Sequence, residues 1–336
     1  MDPFKKIPGY KLVLEDKQND GKLRLDRKTL PYYWMQPQNK CRTDLDIKVE
    51  HYTNHLRVLI KYPSDNTASY INREYLNFSS ANDQSNGQVN WQSDREKHFA
   101  LQVQRNGPHK ILFDTIYSPL LYCENYIEIT TLLPNDLIYG LGQSPMASFK
   151  HNFTFPQKWN IFSKDYSNVT LDEKNWFGSF PFYMGLDGDS EGNAYGVLLL
   201  NTNPIEIVTN SRPSLTYRIL GGDLDLHFFM GPKPEDVIKQ LTQYIGKPML
   251  PPFWSLGFHL CRTTCDLEDA KKIAHNYTNS DFPIESDCGS SLLYSNSISK
   301  SDFDFRKIYG RSLFVNFPQI TTNSSIFKEY RDSKLF

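Results

Sequence analysis

Short runs in which apolar and polar residues alternate recur along the chain from about residue 40 to residue 230. The clearest are residues 45–49, 56–60, 98–103 and 126–129. Turn-forming pairs separate them: Asn-Gly at 86–87 and 106–107, Asp-Gly at 187–188 and Gly-Gly at 221–222. Many short strands with one apolar and one polar face are typical of two packed antiparallel sheets. The sequence therefore predicts a mostly β fold that begins with an antiparallel β-sandwich.

The last strands of this predicted sandwich are followed by a helix. Residues 196–200 are continuously apolar, which favours a central strand, and residues 223–230 form the last clear strand. Residues 234–246 then have a helical pattern, with Pro234 in the first turn and Gly246 at the end. One face is apolar, and it consists of Val237, Ile238, Leu241, Tyr244 and Ile245.

An α/β domain is predicted to start after this helix. Residues 253–260 are apolar on both faces, as in a strand that is covered on both sides, and residues 266–280 form an amphipathic helix. A complete (β/α)8 barrel needs about 250 residues, so we expect only the incomplete start of such a barrel here. The predicted organisation is a poorly defined segment at 1–40, the β-sandwich at 41–233, a linking helix at 234–250 and the truncated barrel at 251–336.

Composition excludes several classes of function. The 37 Lys and Arg residues balance 38 Asp and Glu residues, so we expect no nucleic-acid partner. No run of eighteen apolar residues occurs, so no membrane span is expected. The N-terminus, MDPFKKIPGYKL, has no apolar stretch and is not expected to be a signal peptide. The sequence identifies no protein partner.

The cysteines and asparagines give weaker signals. The five cysteines are odd in number and scattered, which predicts neither a disulfide framework nor a zinc site. Cys261 and Cys265 lack a second ligand pair, so we expect buried free thiols, no metal and no cofactor. The N-x-[ST] sequons favour a secretory route, against the missing signal peptide. They lie at Asn77, Asn152, Asn168, Asn276 and Asn323.

Six segments, in one order, resemble the family 31 glycoside hydrolases, in particular the group of lysosomal α-glucosidase, maltase-glucoamylase and sucrase-isomaltase. The resemblance covers roughly residues 40–283. The segments are LLPNDLIYGLGQ (132–143), FSKDYSN (162–168), FPFYMGL (180–186), GVLLLNTNPIEI (196–207), LTYRILGGDLDLHFFMGPKPEDVI (215–238) and IGKPMLPPFWSLGFHLCR (245–262).

The resemblance implies a β-sandwich followed by a catalytic (β/α)8 barrel that hydrolyses terminal α-linked glucose from oligosaccharides with retention of configuration. That reaction uses two carboxyl groups about 5 Å apart. In the family both are aspartates on later barrel strands, and no segment here resembles the Trp-x-Asp-Met-Asn-Glu motif of the nucleophile. We therefore assign no catalytic residue in this chain and expect the chain alone to be inactive.

One substrate contact of the family matches this sequence. The aspartate of the sandwich loop that reaches over the barrel mouth corresponds to Asp165 in FSKDYSN. A carboxylate at this position accepts hydrogen bonds from two sugar hydroxyls, so the expected partner is an oligosaccharide or a glucoside. Without the resemblance, Asp165 reads as a solvated loop residue beside Lys164.

Other positions depart from the family pattern. Thr263 and Cys265 stand where the family has aromatic residues, and Gln143 replaces a glutamate. Ser290 stands where the first substrate-binding aspartate of the second barrel strand belongs. Asp287 lies three residues too early, and the segment IESDCGSS is too polar for a buried strand.

The remaining candidate residues have structural interpretations. Asp302 and Asp304 are predicted to be a solvated pair rather than a catalytic one. His259 is predicted to be a core histidine with a hydrogen-bond partner, and Trp254 and Phe258 are predicted to be core residues.

Three hypotheses follow. The chain is the N-terminal portion of an α-glucosidase whose gene prediction was cut short, an inactive short protein that binds carbohydrate or a partner, or a degenerate copy without a stable fold. The family points to the secretory pathway or the lysosome.

Overall fold

The structure is a computed structural model, and it describes sixteen segments of the chain. These are residues 9–16, 20–25, 41–53, 55–63, 76, 87–92, 98–106, 110–142, 148–162, 178–189, 191–262, 272–273, 275–277, 279–283, 285–289 and 312–314. The chain divides into two compact units, Met1–Lys247 and Pro248–Phe336.

Two antiparallel sheets form the first unit. The strands of the first sheet are β1 Tyr10–Asp16, β2 Asp20–Leu25, β3 Asp44–His51, β4 Leu56–Lys61, β10 Ile138–Gly140, β12 Phe182–Leu186, β13 Ala194–Leu199 and β16 Leu224–Phe229. Those of the second are β5 Gly87–Gln92, β6 Ala100–Arg105, β7 Ile111–Asp114, β8 Leu121–Cys123, β9 Tyr126–Leu132, β11 Gln157–Ile161, β14 Ile205–Asn210 and β15 Ser214–Ile219. Within the described residues the orders are β1-β2-β3-β4-β16-β13-β12-β10 and β11-β14-β15-β9-β7-β6-β5, with β8 paired to β9.

The two sheets pack face to face around one apolar core. Buried and partly buried residues alternate along β9 and β14, so each of these strands turns one side towards the core. Phe113 of the second sheet meets Phe228 of the first edge to face, with ring centroids 5.3 Å apart. β13 and β16 are buried along their whole length and lie inside their sheet. The predicted β-sandwich is therefore confirmed.

The first sheet begins before residue 41, where the sequence placed the start of the sandwich. β1 pairs with β2, and β2 pairs with β3, both antiparallel. Tyr10 and Leu23 are fully buried in the common core. The apolar side chains of this N-terminal segment therefore contribute to the sandwich.

A disulfide bond joins Cys41 to Cys123, across a sequence separation of 82 residues. The buried hydroxyl of Tyr10 donates to the carbonyl oxygens of Arg42 and Tyr122 at 2.6 and 2.9 Å. The backbone amide of Arg42 also donates to the carbonyl oxygen of Tyr122. The prediction that the scattered cysteines form no disulfide framework is therefore wrong for this pair. Sequence spacing does not reveal which distant chain segments the fold brings together.

Helix α1, Pro234–Ile245, confirms the predicted helix and packs on β13 and β16. Val237 and Tyr244 are fully buried against Phe182, Ala194 and Phe229. Ile238 and Ile245 of the predicted apolar face are instead 45% and 46% exposed. The helix buries a narrower stripe than its sequence pattern indicates.

A buried ion pair lies in the first sheet beside this helix. Arg57 Nε donates to Asp225 Oδ1 at 2.7 Å and Arg57 Nη2 to Asp225 Oδ2 at 2.8 Å. The side chains are only 7% and 1% exposed. Arg57 Nη1 also donates to Glu50 Oε2 at 2.6 Å, and Lys48 Nζ lies 2.7 Å from Glu50 Oε1. The bidentate geometry holds the guanidinium in one orientation between β4 and β16.

Aromatic and imidazole rings extend this polar cluster to the helix. His227 Nε2 lies 3.1 Å from Asp225 Oδ1 and 3.2 Å from the hydroxyl of Tyr244 on α1. The ring of His55 lies 4.6 Å from that of Tyr244. Burial, with His227 and Arg57 close by, lowers the pKa of His55 to about 3, so this imidazole is neutral at neutral pH.

Among the described residues of the second unit, three strands form a parallel sheet in the order β17 His259–Arg262, β18 Ser286–Gly289 and β19 Ser312–Phe314. The polar segment that seemed unsuited to a strand therefore forms β18, because its backbone pairs with a neighbour on each side. Lys272, Ile273, residues 275–277 and Asn279 are helical, within the predicted helix at 266–280.

The strand predicted at residues 253–260 is corrected. Phe253–Leu256 is a 3₁₀ helix, in which the amide of Ser255 donates to the carbonyl of Pro252 and that of Gly257 to Trp254. The strand starts only at His259. Trp254 is half-buried, but Phe258 is 43% exposed, so the prediction of Phe258 as a core residue is wrong. Aromatic content alone does not distinguish a strand from a tight turn of helix.

No helix in the described part of the chain is both long enough and apolar enough to span a membrane.

Candidate functional site

The segment that contains Asp165, residues 163–177, lies outside the described residues. Its two ends are described. The segment leaves from β11, in the second sheet, and returns to β12, in the first. It therefore connects the two sheets in the sequence. The described residues that flank it, 162 and 178, mark the part of the sandwich from which the chain enters and leaves this segment.

Strand pairing brings three chain segments together there. β11 pairs with β14 so that Ile161 lies opposite Ile205. β12 pairs with β13, and the amide of Leu199 donates to the carbonyl of Pro181 at 3.0 Å. The end of β11, the start of β12 and the turn at 200–204 thus meet at one end of the sandwich.

These segments line a concavity of about 400 Å³. Its described lining residues are Ile161, Phe162, Ser179, Pro181, Asn201, Thr202, Asn203, Pro204 and Ile205. None of them is charged, and the lining combines amide and hydroxyl groups with an aromatic ring. Phe162 is 50% exposed. Phe180, which precedes the lining residue Pro181, is 46% exposed. Such a surface offers hydrogen bonds and an apolar face together, which suits a neutral polar ligand.

One wall of the concavity is held rigidly. The side-chain amide of Asn201 donates to the carbonyls of Gly221 and Asp223 at 3.1 and 2.9 Å, and Asn201 Oδ1 accepts from the amide of Asn203 at 2.8 Å. Gly222, at φ +84°, lies so close that a Cβ there would meet both asparagine amides within 3 Å. The turn at 200–204 is thereby fixed against the turn between β15 and β16.

Two pairs of described carboxylates are each bridged by an arginine. Glu50 and Asp225 are both bound to Arg57, and Glu128 and Glu206 are both bound to Arg218, at 2.9 and 2.8 Å. Burial opposes ionisation of Asp225, but hydrogen bonds from Arg57 and His227 hold its pKa well below its ordinary value. A general acid needs a raised pKa. Asp225, bound by Arg57 and His227, therefore has a structural role.

Several other sequence-predicted residues also lie outside the described part of the chain, namely Gln143, Thr263, Cys265, Ser290, Asp302 and Asp304. Asp287 lies on β18, where its backbone pairs with Leu260 and Leu313. His259 is half-buried, and its Nε2 lies 2.9 Å from the carbonyl of Ser255, which confirms a hydrogen-bond partner. In the described segments no group of three or more His, Cys, Asp or Glu residues could hold a metal ion.

The concavity walls were not foreseen from the sequence. Phe162 and Asn201 lie in segments that resemble the family, yet nothing in their spacing shows that they share one surface. The alternation of β11, with buried residues at 157, 159 and 161, is the signal that could have placed Phe162 at the end of a strand.

Solved structures that share this fold include glucosidases and a dextranase. The catalytic subunit of endoplasmic-reticulum glucosidase II, in a heterodimeric complex with the binding domain of its regulatory subunit, matches 99% of this chain with 46% of its own (TM-score 0.71, 14% identity). A GH31 dextranase of Flavobacterium johnsoniae matches 98% of this chain with 40% of its own (TM-score 0.64, 16% identity). At these identities the likeness establishes the fold.

Curated relatives match about half of the chain. Intestinal sucrase-isomaltase of Oryctolagus cuniculus is 39% identical over 168 residues, which are 50% of this chain and 9% of that protein. Lysosomal α-glucosidase of Mus musculus is 33% identical over 201 residues, 56% of this chain and 19% of that protein. No family model matches the chain. The chain is a homologue of the family 31 glycoside hydrolases, and it spans less than a quarter of these curated relatives.

Proposed function

We propose that this chain contributes the β-sandwich of an α-glucosidase-type protein. Such a protein hydrolyses terminal α-linked glucose from oligosaccharides, with retention of configuration at the anomeric carbon. The 39% identity to an intestinal sucrase-isomaltase, over half of the chain, carries this proposal. In this assignment the segment at 163–177 presents Asp165 to two hydroxyls of the terminal glucose. The neutral concavity beside it supports a role in sugar binding.

Catalysis itself requires a nucleophile and an acid/base carboxyl group about 5 Å apart. No segment of the 336 residues resembles the nucleophile motif of the family, and the pairs Glu50/Asp225 and Glu128/Glu206 are each bridged by an arginine. In this proposal the sandwich positions substrate, and neither of these two carboxylate pairs carries out the chemistry.

The first prediction is that the purified chain hydrolyses no α-glucoside. A chromogenic α-glucoside incubated with it should release no more chromophore than a heat-killed control does. Turnover above that control would place a catalytic pair within these 336 residues and overturn the assignment of the chemistry.

The second prediction concerns binding. Millimolar maltose or acarbose should raise the melting temperature of the chain, because a ligand of the native state stabilises it. At a ligand concentration of ten times Kd, the free energy of unfolding increases by about 1.4 kcal/mol. For a unit of this size, that increase raises the melting temperature by about 3 °C. Asp165→Asn should abolish the shift by removing the acceptor charge.

Asp172→Asn, a charge loss of the same kind seven residues further along the same segment, is the matched control and should retain the shift. An equal shift in wild type and Asp165→Asn would remove Asp165 from the site. No shift in the wild type would favour the alternative function, a catalytically inactive module that binds a protein partner. The departures at Thr263 and Cys265 favour that alternative.

A further inference from the structure

One glycosylation sequon is described in full. Of the five N-x-[ST] sequences in the chain, Asn152-Phe153-Thr154 is the one whose three residues all lie in the described segments. It lies immediately before β11. Asn152 and Thr154 are exposed, whereas Phe153 between them is only 6% exposed.

The backbone on either side of Asn152 is fixed by buried neighbours. His151 is 2% exposed, and its ring stacks on that of Trp159 with centroids 5.0 Å apart and an interplanar angle of 7°. The amide of His151 donates to the carbonyl of Ile138, and His151 Nε2 lies 2.9 Å from that of Gly140. Since His151 and Phe153 point inward, the side chain between them points to solvent.

The asparagine and the threonine of the sequon contact each other. Asn152 Oδ1 accepts hydrogen bonds from the amide of Thr154, at 2.8 Å, and from the hydroxyl of Thr154. Both bonds use the oxygen of the side-chain amide. They therefore leave the nitrogen Nδ2, which is the atom that N-glycosylation modifies, outside this contact.

Two exposed phenyl rings flank the sequon. Phe149 is 92% exposed and Phe155 is 53% exposed, and each is three residues from Asn152. Both rings offer exposed apolar surface close to Asn152 along the chain. The apolar face of a sugar ring packs on aromatic surfaces, so the first sugar of a glycan has apolar surface within reach.

The disulfide between Cys41 and Cys123 is an independent observation about the compartment. Disulfides persist in the oxidising secretory route and are rare in the cytosol. That route is also where lipid-linked oligosaccharides are transferred to asparagine. A chain with this disulfide has therefore met the conditions under which an accessible sequon is modified.

We propose that Asn152 carries an N-linked glycan. Nδ2 loses one proton and forms a C–N bond to C1 of the first N-acetylglucosamine. The C1–O bond to the diphosphate of a lipid-linked oligosaccharide breaks, and the lipid diphosphate leaves with the electron pair. The glycan projects from the surface before β11 and shields Phe149 and Phe155 from solvent.

The direct test is a peptide map of the chain isolated from its own cells. Peptide-N-glycosidase converts a glycosylated asparagine to aspartate, so the peptide that contains residue 152 should carry aspartate after treatment and asparagine without it. An unmodified Asn152 in protein whose Cys41–Cys123 disulfide is formed would overturn the proposal, whatever the other four sequons show.

Variants of the full chain, secreted from cultured eukaryotic cells behind a heterologous signal peptide, give a second readout. Asn152→Gln and Thr154→Ala should each lose the mass of one glycan, and Thr154→Ser should keep it because serine completes a sequon. Asn160→Gln, at an exposed asparagine outside any sequon, should leave the mass unchanged. Equal glycan content in Thr154→Ala and Thr154→Ser would refute the site without depending on the fold of Asn152→Gln.

Discussion

Replacement of Arg57 by methionine is expected to lower the free energy of unfolding of the sandwich by about 3–5 kcal/mol. Methionine has a similar length and no charge, so the change leaves Asp225 ionised at 1% exposure without its bidentate partner. Glu50 loses a hydrogen bond at the same time. An uncompensated buried charge is far more costly than a lost surface contact. Urea unfolding, followed by tryptophan fluorescence, measures the change.

Arg24→Met is the matched control. Arg24 makes the same kind of bond, from Nε to Asp44 Oδ1 at 2.8 Å, but the two side chains are 65% and 49% exposed. Water solvates both charges at this exposed pair, so Arg24→Met should lower the free energy of unfolding by less than about 1 kcal/mol. The double variant Arg57→Met with Asp225→Leu should recover part of the stability lost in Arg57→Met. Equal losses in Arg57→Met and Arg24→Met would show that burial of the pair has no energetic consequence.

Removal of the Cys41–Cys123 disulfide is expected to have an effect of similar size. The bond closes a loop with a sequence separation of 82 residues. In the chain-entropy description, a cross-link that closes a loop of this length raises the free energy of the unfolded chain by about 4–5 kcal/mol. The double variant Cys41→Ala with Cys123→Ala should therefore unfold at a clearly lower urea concentration than the oxidised wild type.

Reduction of the wild type provides the comparison. Dithiothreitol should destabilise the wild type to the level of the double alanine variant, and it should not change the stability of that variant. Alkylation of the unfolded, unreduced wild type should spare Cys41 and Cys123. If both cysteines react without reductant, the disulfide is absent from the protein, and the compartment argument for Asn152 fails with it.

The sequence was most informative where structure depends on neighbours along the chain. The alternation at residues 126–129 predicted β9, whose buried and partly buried positions alternate over its seven residues. Pro234 and Gly246 correctly bounded helix α1, because capping and proline geometry act within one turn. The apolar run at 196–200 correctly indicated a strand inside the sheet. The same reasoning failed at residues 253–260, where two prolines favour a 3₁₀ turn that aromatic content does not reveal.

The candidate site was only partly accessible in this way. Asp165 was assigned through resemblance to the family, and the resembling segments 162–168 and 180–186 by themselves indicate no spatial relation. Pairing of Ile161 with Ile205, and of β12 with β13, places the turn at 200–204 beside both. The uncharged lining of amide groups and phenyl rings exists because these segments meet in the fold. No sequence motif encodes it.

By itself the sequence determined the class of the fold, six of the strand positions, helix α1 and the relation to the family 31 glycoside hydrolases, because periodicity, capping and motif order are local properties. Only the tertiary structure decided that Cys41 bonds Cys123 and that Arg57 pairs with Asp225, 168 positions away. A cysteine or an arginine has no local pattern that names its partner. That choice is made by the pairing of distant strands and the packing of the two sheets, which bring these segments within bonding distance and exclude water from the charges between them.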